Sequence, residues 1–281
     1  MGGEVSLPTV YLDFETRSRC DLRRHGGRRY AADPSTELLC AIAAVDRGEF
    51  LEVYAWGRLD AGPPVGWAVG EEHLKALSFA PEDVRYAGWW AELPEEIRFL
   101  AESGATFVAH NAHGFDRHVW DHFDYPPAHW RDSMELTRRA SLPSGLDEVG
   151  RTLFGIGKDG RGTRTLRMLM SPRKNGEFLE PDGPQMRMLL RYCVRDVLLM
   201  AAACEEEQLL VPHVDDPVLD VHRAIDERGV FVDVEFAKRL LALDSYLAKE
   251  WAAKAAAVFG CSNADAQRML NSSVALPKKK A

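Results

Sequence analysis

The stretch TVYLDFE, residues 9–15, decides the fold of this chain because β-branched and aromatic residues alternate along it. Such a run predicts a β-strand. Side chains at positions i and i+2 of a strand lie on one face, so Asp13 and Glu15 project together. Two neighbouring carboxylates repel each other unless a cation lies between them, although a solvated acid pair at a strand end is the simpler interpretation. The motif alone is weak evidence of function.

The segments that follow predict a mixed α/β sheet. Residues 37–46 and 49–56 read as two strands, and their two-residue joint at Arg47-Gly48 favours an antiparallel hairpin. Residues 94–103 predict a helix with Pro94 in its first turn, and residues 105–110 predict a buried strand after it. Alternation of strand, helix and strand is typical of an α/β domain.

Other segments are helical or lack a clear pattern. Residues 58–92 contain several Gly and Pro and read as loops with room for one short helix. The clearest helix covers residues 183–210, where apolar residues recur at three- and four-residue steps. Further helices are predicted over residues 114–123, 132–140, 145–154 and, separated by an extended piece at 229–232, within 216–260.

Composition excludes several classes of protein. The chain has 281 residues, 46% hydrophobic and 28% charged, which is typical of a globular protein. It has no signal peptide and no apolar stretch long enough for a membrane helix, so we expect a cytoplasmic protein without membrane contact. The five cysteines are scattered and predict free thiols rather than disulfides. A net charge of −8 argues mildly against non-specific coating of nucleic acid, but not against an enzyme that binds a few nucleotides.

A second polar segment, His110-Asn111-Ala112-His113-Gly114-Phe115-Asp116, lies where the predicted strand 105–110 gives way to a helix. Active-site residues favour such strand ends in α/β sheets. An acid in the first turn of a helix also interacts favourably with the helix dipole, which would explain Asp116 without any function.

A third segment contains Tyr192 and Asp196, which are four residues apart on the predicted helix 183–210 and share a face beside its apolar stripe. A carboxylate directed toward the interior needs a partner, and a metal ion is one. An ion pair of Asp196 with Arg191 or Arg195 is the alternative.

The order of these motifs resembles the DEDD exonuclease superfamily. An acid pair on the first strand, an Asp at a later strand–helix junction, and Tyr plus Asp on a C-terminal helix are similar to the subgroup with tyrosine in the third motif. Within that subgroup, the chain specifically resembles the proofreading domain of the bacterial and phage DNA polymerase I family (family A). Further similar segments are Leu12–Ser18, Asp21-Leu22, Tyr30-Ala31, Asp132-Ser133, Leu142-Pro143 and Leu146-Asp147.

The resemblance implies two parts of the chain. Residues 1–212 would form a 3′→5′ exonuclease domain with a ribonuclease H-like mixed β-sheet flanked by helices. Residues 213–281 would form a helical extension, because Val221–Val230 and Val232-Asp233 are similar to the entry of the polymerase region. The chain stops before the polymerase's catalytic motifs, so we expect no polymerase activity from it. The polymerase would be a separate chain or a missing domain.

The resemblance also implies the chemistry. Two Mg²⁺ or Mn²⁺ ions would be held by Asp13, Glu15, Asp116 and Asp196, with Asp13 contacting both. Tyr192 would orient the attacking water as a hydrogen-bond donor. The substrate would be the 3′ end of single-stranded DNA.

The residues implied to bind that substrate are Phe14, Thr16, Asn111 and Phe115, with Phe115 packed under the site. A basic run after the second motif could line the incoming strand or form a solvated surface loop. Its residues are Arg161, Arg164, Arg167, Arg173 and Lys174.

Three alternatives stay open. His118 and His122 have the spacing of a helical zinc pair, but the motif lacks the usual Glu and a third ligand. The chain could instead be a non-catalytic module that binds DNA or a polymerase, although all four carboxylates are present. It could also trim RNA, which the polymerase-like segment after residue 212 disfavours.

Overall fold

The computed structural model describes residues 7–58, 66–157, 160–173, 175–206 and 217–273, except for the side chains of 160–163 and 271–273. The chain divides into two compact units, Met1–Asp215 and Asp216–Ala281. The basic C-terminal end and parts of the basic run, including Lys174 and the side chain of Arg161, fall outside the described residues. The assignment of the two parts to an exonuclease and a polymerase region stays a prediction.

The first unit is built on one six-stranded sheet with the order β4-β3-β2-β1-β5-β6. β2 is antiparallel to both β1 and β3, whereas the remaining neighbours are parallel. The strands are β1 (Thr9–Arg17), β2 (Glu37–Asp46), β3 (Leu51–Trp56), β4 (Val84–Trp90), β5 (Thr106–Ala109) and β6 (His129–Asp132). This mixed α/β fold confirms the predicted class and is consistent with a ribonuclease H-like domain.

Helices cover both faces of the sheet. The helices of the first unit are α1 (Leu22–Ala31), α2 (Glu71–Ala76), α3 (Glu95–Glu102), α4 (Asp116–His122), α5 (Ser133–Arg139), α6 (Leu146–Phe154), α7 (Gly160–Met170) and α8 (Gly183–Glu205). Residues of α8 pack with Tyr11 and Ile42 on one face. Residues of α3 and α4 pack with Leu12 and Phe14 on the other. The alternation along β1 therefore turns Asp13 and Glu15 toward the α8 face.

β2 and β3 form the antiparallel hairpin that the sequence predicts. The Arg47 N–H donates to the Phe50 carbonyl at 2.9 Å, so Gly48 and Glu49 lie between the bonded residues and the joint is displaced by one residue from the predicted Arg47-Gly48. β3 begins at Leu51, two residues later than predicted. Gly48 has a φ of 85°, which an L side chain rarely adopts, and its N–H donates to Asp46 Oδ1 at 2.8 Å.

Several elements of the structure are not predicted from the sequence. β4 lies in the region interpreted as loops, carries Trp89 and Trp90, and pairs with β3. It was not predicted because its face is only partly buried and a glycine interrupts the strand pattern. The short β6 and the glycine-containing α1 were also not predicted. Part of the basic run lies on α7, so the interpretation of that run as a loop is wrong. Leu169 is buried on this helix, whereas Arg164 and Arg167 are exposed. Pro94 caps α3 instead of lying in its first turn.

The second unit is helical, as predicted, with α9 (Pro217–Arg228), α10 (Val234–Phe259) and α11 (Asn263–Ser273). Asp233 caps α10 by accepting the Phe236 N–H at 2.8 Å, and Gly260 ends it with a φ of 63°. α11 was not predicted; small alanines on α10 and α11 pack together there.

All five cysteines are free thiols, which confirms the prediction. In the part of the chain that the structure describes, no helix combines the length and the apolar character needed to cross a membrane.

Candidate metal centre

The acid pair of β1 meets a thiol of α8. Ligand atoms of Asp13, Glu15 and Cys193 all lie within 4.8 Å of one another. The Cys193 Sγ lies 3.2 Å from Asp13 Oδ2 and is fully buried. From the sequence alone, Cys193 is one of the apolar residues that recur at three- and four-residue steps along the predicted helix 183–210. Its position directly after Tyr192 was the one signal that could have assigned it to the site.

Asp116 opens α4 and contributes a third carboxylate. Its side chain is only 3% exposed, and its Oδ1 has no hydrogen-bond partner among the described residues. Burial raises the pKa of Asp116 well above its usual range, and the nearby charges of Asp13 and then Asp132 raise it further. The backbone N–H of Phe14 opposes this shift by stabilising the ionised form. A buried acid in this position is stabilised by either a proton or a cation.

The loop before Asp116 is fixed by the end of β6. Asp132 accepts the backbone N–H groups of Asn111 at 3.0 Å and His113 at 3.3 Å, and it also caps α5 through the Met134 N–H at 2.9 Å. Asn111 has a φ of 76°, a conformation that is uncommon for a non-glycine residue. These contacts show how a tight turn directs Asp116 back toward β1.

Glycines allow α1 to approach this loop closely. A Cβ on Gly27 would collide with the backbone of Gly114, so a larger residue there requires the backbone to move. A Cβ on Gly114 would collide with the side chain of Asn111, which would have to move.

Tyr192 and Asp196 lie on α8, on either side of Cys193 along the chain, and each is 6% exposed. α8 packs on the sheet through the apolar cluster that also contains Cys193. Neither Asp116 nor Asp196 belongs to the group whose ligand atoms lie within 4.8 Å of one another. The structure thus brings Asp13 and Glu15 into direct proximity and places the remaining predicted residues on the elements around them. Their roles stay predictions.

The predicted substrate-binding residues separate into two groups. The Phe14 ring is 3% exposed and packs against Trp56 and Trp120 on the opposite face from the carboxylates. A nucleotide contact by the Phe14 side chain is therefore not available, which leaves only its backbone for the predicted role.

Two other predicted substrate-binding residues, Thr16 and Phe115, are connected through Tyr30. The Thr16 hydroxyl lies 3.2 Å from the Tyr30 hydroxyl, and the Tyr30 ring lies 5.7 Å from the Phe115 ring. Burial raises the pKa of Tyr30 to about 12, so its phenol stays protonated. Phe115 thus packs beside the site, and Asn111 shapes the loop that precedes it.

A buried arginine joins β1 to the segment that leads into α8. Arg17 is 1% exposed and pairs with Glu37 at 2.7 Å and with Glu180 at 2.8 Å. It also donates to the Leu179 carbonyl at 3.0 Å. Because β1 carries the acid pair and α8 carries Tyr192, this arginine ties together two elements of the site.

The zinc alternative gains no third ligand. Within the described ranges, no group of three metal-binding side chains includes His118 or His122.

His110, the first residue of the second motif, contacts Ser133 Oγ at 3.0 Å and the Ser144 carbonyl at 2.8 Å. That histidine therefore connects the start of α5 to the loop that precedes α6.

The chain is similar in sequence to a DNA polymerase. It is 24% identical over 277 residues to the DNA polymerase of Bacillus phage SP02, and the match covers 94% of this chain. The chain spans 38% of the length of that polymerase. No protein-family model matches the chain. The similarity is consistent with a domain linked to a DNA polymerase.

Proposed function

We propose that this chain is a metal-dependent 3′→5′ exonuclease that shortens single-stranded DNA and proofreads for a DNA polymerase. The observation that carries the proposal is that the buried Asp116 lies within electrostatic range of Asp13, a member of the acid pair of β1. Asp116 follows Asp13 by about one hundred residues in the chain, and Asp13 is the charged residue that affects it most strongly. Three carboxylates in one place are costly without a cation.

The donor set fits a hard divalent cation. Carboxylate oxygens suit Mg²⁺ or Mn²⁺, and the Asp116 Oδ1 without a hydrogen-bond partner in the described residues leaves an acceptor for such an ion. Asp13, Glu15 and Asp196 would hold one ion, and Asp13 with Asp116 would hold the second. Two such ions, when bound, stabilise both the attacking and the leaving oxygen of phosphodiester hydrolysis.

The side chains of the chain itself would position the reactants. The Tyr192 phenol, buried beside Cys193, would donate a hydrogen bond to the attacking water and orient it. The Asp132 carboxylate would keep the second-motif loop in place, and the group formed by Thr16, Tyr30 and Phe115 would border the terminal nucleotide. The low exposure of these groups supports a site that excludes bulk water.

The relative supports DNA as the substrate. The similar protein is a DNA polymerase, and the similarity extends beyond the first unit because it covers 94% of this chain. RNA trimming is the alternative substrate assignment. The exposed Arg164, Arg167 and Arg173 are available to contact a strand, and phosphate contacts of this kind weaken with salt.

The second unit supports a polymerase partner. Its helix α10 exposes several large apolar side chains, whose contiguous exposure is typical of a surface that contacts another polypeptide. These residues are Phe236, Leu240, Leu241, Leu243, Tyr246 and Trp251. We propose that a polymerase region, on the same or a separate chain, covers this surface.

The test uses the purified chain with a DNA oligonucleotide labelled at its 5′ end and a matched RNA. We expect stepwise shortening of the DNA in Mg²⁺ or Mn²⁺, none in EDTA, and slower shortening of the RNA. Binding of the DNA without shortening would favour the non-catalytic module. Faster shortening of RNA would favour the RNA-trimming alternative.

A further inference from the structure

We propose that Cys193 makes the acid pair a site for a thiophilic divalent cation, Zn²⁺ or Cd²⁺, which competes with the hard cation of the proposed exonuclease. The Cys193 thiol forms one group with Asp13 and Glu15, in which the ligand atoms lie within 4.8 Å of one another. The consequence for activity rests on the proposed function, whereas the binding itself can be tested independently.

The geometry fits mixed sulfur and oxygen coordination. With Zn–S near 2.3 Å and Zn–O near 2.1 Å, the sulfur–oxygen edge of a tetrahedral site is about 3.6 Å. The observed distance from Cys193 Sγ to Asp13 Oδ2 is 3.2 Å, and the Glu15 carboxylate completes a set within 4.8 Å. A cation can therefore contact Cys193 and Asp13 after their two ligand atoms separate by a few tenths of an ångström, and a rotation of the Glu15 side chain would bring its carboxylate to the same ion.

A second, independent observation indicates that a cation belongs here. The Asp116 side chain is buried, and its Oδ1 has no hydrogen-bond partner among the described residues. The charge that acts on it most strongly is that of Asp13. This buried carboxylate therefore interacts electrostatically with the cluster and adds negative charge near it.

The thiol changes which ion the cluster prefers. Carboxylates alone suit Mg²⁺ and Mn²⁺, whereas a sulfur ligand strongly favours Zn²⁺ and Cd²⁺. On binding, the S–H bond breaks, a bond from sulfur to the metal forms, and the proton passes to solvent; nothing is oxidised or reduced. Because the soft ion would occupy the ligands proposed for the hard one, it would inhibit hydrolysis.

The experiment titrates the metal-free full chain with Cd²⁺ and follows the ultraviolet sulfur-to-cadmium charge-transfer band. Three variants are compared with the parent: Cys193→Ser, Cys40→Ser for the neighbouring buried thiol, and Cys204→Ser for a thiol on the same helix. We expect the band in the parent, Cys40→Ser and Cys204→Ser but not in Cys193→Ser. Loss of the thiol should weaken Cd²⁺ binding at least about 10-fold.

Absence of the band from the parent, or its persistence in Cys193→Ser, would overturn the proposal. Circular dichroism checks that each variant is folded. Asp13→Asn provides a second test, because it keeps the thiol but should weaken Cd²⁺ binding by a similar factor. A parent that degrades DNA in Mg²⁺ but shows no band would disprove this inference and leave the proposed function intact. A band in a parent without nuclease activity would support this inference and count against the proposed function.

Discussion

Asp132 Oδ1 accepts the backbone N–H of Asn111 at 3.0 Å, so the end of β6 holds the turn that leads to Asp116. The same carboxylate binds His113 N–H at 3.3 Å and caps α5. The Asp132→Ala variant should lose about 1 to 3 kcal/mol of stability, because buried N–H groups lose their acceptor. Urea denaturation measures this loss.

Asp132→Asn is the matched control. It keeps an oxygen acceptor, so it should be destabilised less than Asp132→Ala and retain more of any nuclease activity. Equal stability of Asp132→Ala and the parent would show that the loop does not depend on this carboxylate.

The second prediction concerns the buried Arg17. Arg17→Met should cost about 2 to 3 kcal/mol, since charge-assisted hydrogen bonds to Glu37, Glu180 and the Leu179 carbonyl are lost together. Arg58 pairs with the same two glutamates but is 52% exposed, so Arg58→Met should cost under about 1 kcal/mol. Denaturation of both variants compares them. A cost for Arg58→Met equal to that of Arg17→Met would contradict the assigned role.

The third prediction concerns Asp116 in the absence of divalent cations. Its folded-state pKa is raised above the unfolded value, so the folded chain binds the proton more tightly than the unfolded chain does. The stability that this proton contributes is therefore lost as pH rises through the folded pKa. At neutral pH in EDTA, Asp116→Asn should therefore be about 1 to 3 kcal/mol more stable than the parent. The difference should shrink on acidification.

Thermal melts at several pH values, with and without Mg²⁺, measure the effect of Asp116→Asn. Mg²⁺ should stabilise the parent more than the variant, because the variant lacks one carboxylate. A variant that is less stable than the parent in EDTA at neutral pH would count against the electrostatic account.

The fourth prediction concerns His73 of α2. Burial, and then the charge of Arg195, lower its pKa from 6.5 to about 4. The unfolded chain therefore binds the proton first, and stability is lost as pH falls from about 6.5 to about 4. The loss should be about 1 to 2 kcal/mol, since partial exposure screens the effect. His73→Gln should reduce the dependence of the free energy of unfolding on pH in this window. An unchanged dependence in the variant would show that other groups cause the loss of stability.

Much of the fold is predictable because local pattern and tertiary packing agree. Alternation along residues 9–15 identifies β1, and the apolar stripe identifies α8. β4 is not predictable in the same way, since Gly88 and its partly buried tryptophans obscure the pattern. Its strand character depends on pairing with β3, a contact between segments far apart in the chain.

The candidate site is predictable to a similar extent. Asp13 and Glu15 are neighbours by strand geometry alone. The approach of Cys193 to Asp13, and the support that Asp132 gives to the second-motif loop, depend on how α8 and β6 pack on other elements. No local pattern contains that information. The burial of Phe14 against Trp56 likewise follows from the packing of the opposite face.

The most direct test of the proposed exonuclease compares Asp13→Ala with the parent on single-stranded DNA labelled at its 5′ end, in Mg²⁺ or Mn²⁺. Circular dichroism first checks that both proteins are folded. The parent should produce a ladder that shortens one nucleotide at a time from the 3′ end. Asp13→Ala should be slower by at least about 10²-fold, because Asp13 would hold both ions. Metal-dependent 3′→5′ shortening by Asp13→Ala at the rate of the parent would contradict the assignment.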